Sequence, residues 1–354
     1  MEQHAAIIQY KRTRKKCVAI GILLCAALLL LLTVSVGMGA MEVPPFDVAG
    51  ILWSKLTGNE LLLSGYAPNA IAVVWEIRLP RILTGIAVGA GLSAAGVMFQ
   101  AILQNPLADP YTLGISTGAA FGASIAIYLN IAMGLLLPVP LFALLSALVT
   151  LGLVIWISYR GGGFVSANLI IGGIIVSSIL SAGISFLKML AGENVSAIVY
   201  WIMGSLNAKS WGDFLLVFPV TLFAILLGWL FSGDLNIMTL GSRDAEALGV
   251  NAKRTRLFFL LLASAITAVC VSACGVIGFV GLIVPHLLRF SVTSDNRQLL
   301  PLSALCGGLL LSAADHVTRL ISNGEIPVGV LTTLLGGPFF LFLFLHKRKA
   351  EPNG

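Results

Sequence analysis

Apolar residues run along this chain in long uninterrupted blocks rather than alternating with polar ones. Eight stretches hold no Asp, Glu, Lys or Arg: 17–41, 82–108, 110–159, 161–187, 214–233, 257–288, 298–314 and 326–346. A membrane-crossing helix needs about 20 mostly apolar residues. Six of the blocks suit one crossing each; two are too long for one. Pro138 and Pro140 divide 110–159, because proline removes a backbone donor and breaks the helical ladder. That predicts helices near 111–132 and 136–158. The block 257–288 carries Gly275, Gly278, Gly281 and Pro285 in its second half. It predicts a full helix near 257–274 and a short or broken one through 280–293. With helices near 17–37, 82–103, 169–190, 214–232, 299–319 and 328–346, the pattern predicts about ten crossings.

Composition narrows the class further. Of 354 residues, 58% are hydrophobic and only 10% charged, against roughly 25% charged in a soluble domain. A soluble enzyme, a nucleic-acid binder and a disulfide scaffold are excluded. An all-α polytopic membrane protein remains, with the lipid bilayer as its first partner.

The few charges set orientation. Lys11, Arg12, Arg14, Lys15 and Lys16 precede the first block, and Lys347, Arg348 and Lys349 follow the last. Basic residues stay on the cytoplasmic side, so both ends are expected inside, which an even number of crossings allows. Residues 1–16 then form a basic cytoplasmic tail, 17–346 the transmembrane domain and 347–354 a second tail. The first block is too long for a cleaved signal peptide and shows no small-residue cleavage site before Glu42. In this topology 15 basic residues lie inside and six outside. The six include Arg78, Arg81 and Arg319, at the outer ends of their helices.

Two connecting segments are more than turns. Residues 42–77, with Trp53 and Trp75, are expected outside along the membrane surface. Residues 234–256 form the longest inside loop, and Ser242 to Leu248 reads as a short helix bracketed by Gly241 and Gly249. Arg78-Leu-Pro-Arg81 opens one apolar block from outside and Arg254-Thr-Arg256 another from inside, as in an inverted repeat.

The candidate chemistry is sparse. Gly85 and Gly89, and Gly114, Gly118 and Gly122, have the spacing that lets helix backbones approach closely. Gly114-Ile-Ser-Thr-Gly118 matches a nucleophile elbow in letters but lacks the strand that an elbow requires. An intramembrane hydrolase pairing Ser116 with His286 or His316 is the remote enzyme alternative. Cysteines 17, 25, 270, 274 and 306 all fall in apolar blocks, and Cys270 with Cys274 alone makes a poor metal site, so buried side chains are expected. The chain contains no Gly-Lys pair and therefore no P-loop. Mid-helix positions are almost bare of ionisable groups, which gives only weak support to an ion-coupled secondary transporter and leaves it as the runner-up reading. No catalytic residue, metal or cofactor is expected. A transporter without a nucleotide site or an ion relay must draw energy from a partner, and 234–256 is where one can be received.

Several strings, in this order and spacing, resemble the FecCD permease family of bacterial ABC importers for iron–siderophore complexes, haem and cobalamin. They are Arg78-Leu-Pro-Arg81, QAILQNPLADPYTLGISTG from Gln100, and Trp201-Ile-Met-Gly204. LGSRDAEALGV from Leu240, GFVGLIVPHLLR from Gly278, and Ile326-Pro-Val-Gly329 through Gly336-Gly-Pro-Phe339 follow. The resemblance covers about 76–345. It implies a dimeric permease, paired with a second copy or a paralogue, with a path at the dimer interface. Cytoplasmic ATPase subunits would power it and an extracytoplasmic binding protein would feed it. It implies that Gly241, Ser242, Arg243, Asp244, Ala245, Glu246, Leu248 and Gly249 dock the ATPase. Asn105, Pro106 and Leu107, with Ser166 and Ala167, would form a cytoplasmic gate. Arg78, Arg81 and Arg319 would receive acidic residues of the binding protein. An iron–siderophore chelate is the expected cargo, with cobalamin or haem as alternatives.

Overall fold

A computed structural model describes residues 2–39, 41–322 and 326–350, so residues 351–354 of the second predicted tail lie outside the described residues. Among the described residues every regular element is helical. Eight helices are long and apolar enough to cross a membrane, and two shorter apolar helices, Val280–Ser291 and Val328–Phe339, accompany them.

The first helix, α1 (Glu2–Gly37), starts well before residue 17. The predicted basic tail is thus a helical extension of the first span. No glycine or proline interrupts residues 2–20, and Lys and Arg are good helix formers. After α2 (Pro45–Thr57) comes α3, which runs from Pro68 to Ile102 rather than from residue 82. Pro68 occupies the first turn, where a missing N–H is tolerated. A π-helical stretch, Val73–Arg78, lies just ahead of Pro80. Such a bulge carries a helix past a residue that cannot donate. The predicted outer segment 42–77 is therefore largely helical. Its Trp75 packs on Trp211 at 5.1 Å between ring centroids, while Trp53 stays exposed.

The remaining spans fall close to the predicted positions: α4 (Ile115–Met133), α5 (Val139–Arg160) and α6 (Ser166–Ala191). A 3-10 turn leads from α6 into α7 (Val195–Ile202). Ser210 and Asp213 form a capping box that starts α8 (Trp211–Leu230). Two short helices follow, α9 (Ser232–Met238) and α10 (Ser242–Ala247). Asn251 caps α11 (Ala252–Cys274) by accepting from the Arg254 N–H. The chain continues through α12 (Val280–Ser291), α13 (Asn296–Ser322) and α14 (Val328–Ala350).

Helix α3 is the centre of the bundle and packs against α8, α11, α12 and α13. Glycine makes this closeness feasible. A Cβ on Gly89 would run into the Gly307 carbonyl of α13, and one on Gly96 into the Gly281 carbonyl of α12. On α4, Gly118 and Gly122 lie against Thr150 and the Phe142 carbonyl of α5. The small-residue spacing is thus backbone-to-backbone packing. Arg78-Leu-Pro-Arg81 and Arg254-Thr-Arg256 sit toward opposite ends of the neighbouring helices α3 and α11.

Candidate functional site: the basic end, the cleft and the arginine cluster

Helices α9 and α10 lie at the end of the bundle where α3 ends and α11 begins. Gly241 opens α10 with φ +116° and Gly249 follows it with φ +86°, both in the region that favours glycine. Between them Ala245 is fully buried, packed with Met238 and Ala252. Arg243, Asp244, Glu246 and Leu248 are exposed, Leu248 by 59%. One small apolar anchor thus presents a surface of mixed charge with an uncovered leucine, the makings of a protein contact.

The two predicted gate turns lie at the same end. The Asn105 side chain accepts from the Leu107 N–H at 2.9 Å, which closes a tight turn around Pro106. Glycines 162 and 163, with φ +113° and +115°, shape the turn before α6. The Ser166 hydroxyl donates to the Ile102 carbonyl at 3.4 Å, so the two turns adjoin. Leu107 and Ala167 are both exposed.

Beyond Leu107 the chain turns into the bundle. Asp109 accepts from the N–H groups of Tyr111 and Thr112 and from the Thr112 hydroxyl, at 2.8–3.0 Å. Burial pushes its carboxyl above the usual range, opposed by these bonds. The Tyr111 hydroxyl donates to the Ile277 carbonyl. Next to it opens a cleft of about 600 Å³ with Asp109, Met203, Phe279 and Thr333 on its walls. A second cleft, of about 290 Å³, brings Ser116, Thr117, Ser181, Ser185 and Lys188 together. Both clefts are mainly apolar with scattered hydroxyls.

The three arginines expected to receive the binding protein, Arg78, Arg81 and Arg319, are at the opposite end. Arg78, Arg81 and Arg319 are only 6%, 7% and 9% exposed. Arg78 donates to the carbonyls of Val36 and Gly37 at 2.8 and 3.0 Å, and to that of Met41. Arg81 donates to Asp315 from two nitrogens, the shorter bond at 2.7 Å, and to Asn207 at 3.2 Å. Arg319 pairs with Asp315 at 3.5 Å and donates to Ser35. These guanidiniums link α1, α3 and α13.

Other readings resolve as well. The Ser116 hydroxyl is buried without a hydrogen-bond partner, and His316 Nδ1 faces the Ser35 hydroxyl at 3.1 Å. Among the described residues Ser116 thus has no histidine within hydrogen-bond reach. Asp315 is held by two arginines and makes a poor ion relay. Among the described residues no group of His, Cys, Asp and Glu is placed to hold a metal. Cys270 and Cys274 are buried free thiols, whereas Cys25 is exposed.

The sequence reading missed the buried Asp315–arginine network as a unit, and Arg256 as a strut beneath α10. Asp315 is an isolated charge within an apolar stretch, a signal the sequence carries, whereas Arg256 is the last of a basic run with Lys253 and Arg254.

Comparison with known proteins matches residues 27–346 to the model of the FecCD transport family. The cobalamin import system permease BtuC of Halobacterium salinarum is 39% identical over 316 residues, 89% of this chain and 85% of its own length. The hemin transport system permease HmuU of Yersinia pestis is 36% identical over 332 residues, covering 91% and 95%. The molybdate import system permease MolB of Haemophilus influenzae is 36% identical over 337 residues, covering 94% and 97%. A metal-chelate type ABC transporter solved in an inward-facing conformation superposes with a TM-score of 0.80 at 33% identity, over 93% of this chain and 99% of that one.

Proposed function

From the premise that the chain belongs to the FecCD transport family, we propose that it carries an iron–siderophore-type chelate across the plasma membrane. It is an ABC importer permease of FecCD type, a multi-pass membrane protein. Its action requires ATPase subunits, an extracytoplasmic binding protein and a second permease copy or paralogue. It performs no catalysis itself.

The observation that carries the energy coupling is α10. Its buried Ala245 fixes a short helix whose exposed side, Arg243, Asp244, Glu246 and Leu248, receives the ATPase. The adjoining turns at Asn105–Leu107 and Ser166–Ala167 form the gate on that side. Both chain termini lie in the cytoplasm, as the basic end requires. The cargo passes along the clefts at Asp109 and Ser116, where apolar walls with scattered hydroxyls hold it weakly.

Support for an iron chelate comes from relatives named as Fe(3+)-citrate permeases in Bacillus subtilis and Escherichia coli, and from the metal-chelate transporter structure. Cobalamin is the second reading, favoured by the relative at 39% identity. The test is uptake of labelled iron–siderophore, haem and cobalamin into a strain lacking this chain. Iron uptake lost on deletion and restored by the gene supports the first reading; restoration of cobalamin uptake alone replaces it with the second.

A further inference from the structure

Arg256 is 5% exposed at the start of α11 and has no carboxylate partner among the described contacts. Its guanidinium instead reaches three separate segments. Nε donates to the Ile102 carbonyl at 3.2 Å, Nη1 to the Phe164 carbonyl at 2.8 Å, and Nη2 to the Ser242 hydroxyl at 2.8 Å. Ile102 is the last residue of α3, just before the Asn105–Leu107 turn. Phe164 lies two residues before Ser166. Ser242 is the first residue of α10. The Ile102 carbonyl also accepts from the Ser166 hydroxyl. Beside this fork, the Gln104 amide donates to the Met238 carbonyl of α9 at 2.9 Å.

Burying a guanidinium without a counter-ion is unfavourable, and an apolar side chain would fill the space at lower cost. What arginine adds is a planar, rigid fork that fixes its three acceptors relative to one another. The free carbonyl at the end of α3 favours a cation at that spot. A displacement of α10 is therefore passed through Ser242 to the ends of both gate turns.

We propose that Arg256 is the positioning residue that couples movement of the ATPase-contacting helix α10 to the gate turns 105–107 and 166–167. The proposal rests on the reading of α10 and of the gate given above. It makes Arg256 a determinant of how much transport each ATP yields, separate from ATPase binding.

The experiment uses the full permease–ATPase complex in proteoliposomes, with Arg256→Gln and Arg256→Lys. Three quantities are read: ATPase co-purification, transport per ATP hydrolysed, and the nucleotide dependence of crosslinking between cysteines placed at 107 and 167 in a background freed of the native ones. Both variants are expected to bind the ATPase normally while transport per ATP falls about tenfold, with crosslinking no longer responsive to nucleotide. An unchanged transport-to-ATP ratio in Arg256→Gln overturns the proposal, even where the amount of folded protein falls, because a purely structural strut alters yield and not stoichiometry. Should Arg256→Gln fail to insert, the ratio in Arg256→Lys decides by the same rule. Leu248→Asp tests the docking reading by itself: an ATPase that still binds it sinks that reading whatever Arg256 does.

Discussion

Asp315 sits 2% exposed between Arg81 and Arg319, at 2.7 and 3.5 Å. A carboxylate so buried is stable only while its partners stay. Removing one member of a buried pair typically costs about 3–5 kcal/mol, because the other is left unpaired. Asp315→Ala is therefore expected to lower the thermal midpoint of the detergent-solubilised protein strongly and to reduce its level in the membrane. Arg81→Glu should do the same by placing two carboxylates together. This outcome separates an internal brace from a docking arginine. A docking residue reversed to Glu would leave folding intact and weaken only binding-protein association, in a salt-dependent way. Normal stability of both variants, measured by thermal unfolding, would return these arginines to the docking role.

At the scale of the element, α10 and its glycines concentrate the consequences. Gly249 has φ +86° with open space around the missing Cβ. A non-glycine residue there costs roughly 1–2 kcal/mol in backbone strain without any clash. Gly249→Val is expected to distort the exit from α10 and cut ATPase co-purification and transport together, while membrane insertion survives. Leu248→Asp leaves the backbone alone and should abolish association by putting a charge where an apolar contact forms. Gly96 is the contrasting case. Its Cβ would collide with the Gly281 backbone of α12, so Gly96→Leu is expected to prevent stable packing of α3, read as loss of folded protein after detergent extraction. Strain at Gly249 thus affects function, whereas steric exclusion at Gly96 affects assembly.

For the whole molecule, the testable quantities are orientation and pairing. Reporter fusions after Arg160 and Gly249 should read cytoplasmic, and fusions after Glu60 and Lys209 external; an external reading at Gly249 would sink the ATPase mechanism. Cysteines at 107 and 167 should crosslink in the resting transporter and block uptake. Absence of any such crosslink, within or between subunits, would place the gate elsewhere.

Hydrophobic block length alone determined that this chain is a bundle of membrane helices, and Pro138 with Pro140 placed the break between α4 and α5. Those signals are local: the number of apolar residues needed to cross a bilayer, and the loss of a backbone donor, are properties of the segment itself. The glycines around Ser242–Leu248 marked the short helix α10 for the same reason, since positive φ is a demand made at one residue. Where α3 begins was not local. The charge-free block began at residue 82, whereas the helix runs back to Pro68 through a π-helical stretch ahead of Pro80 that packs against α1 and α2. Arg78 and Arg81 are buried by partners, Val36 and Asp315, that lie 42 and 234 residues away in sequence. Arg256 was likewise one charge among several until the fold brought Ile102, Phe164 and Ser242 around it. Charge type is written in the sequence, but which charge is covered depends on contacts between distant segments, and those only the tertiary structure decides.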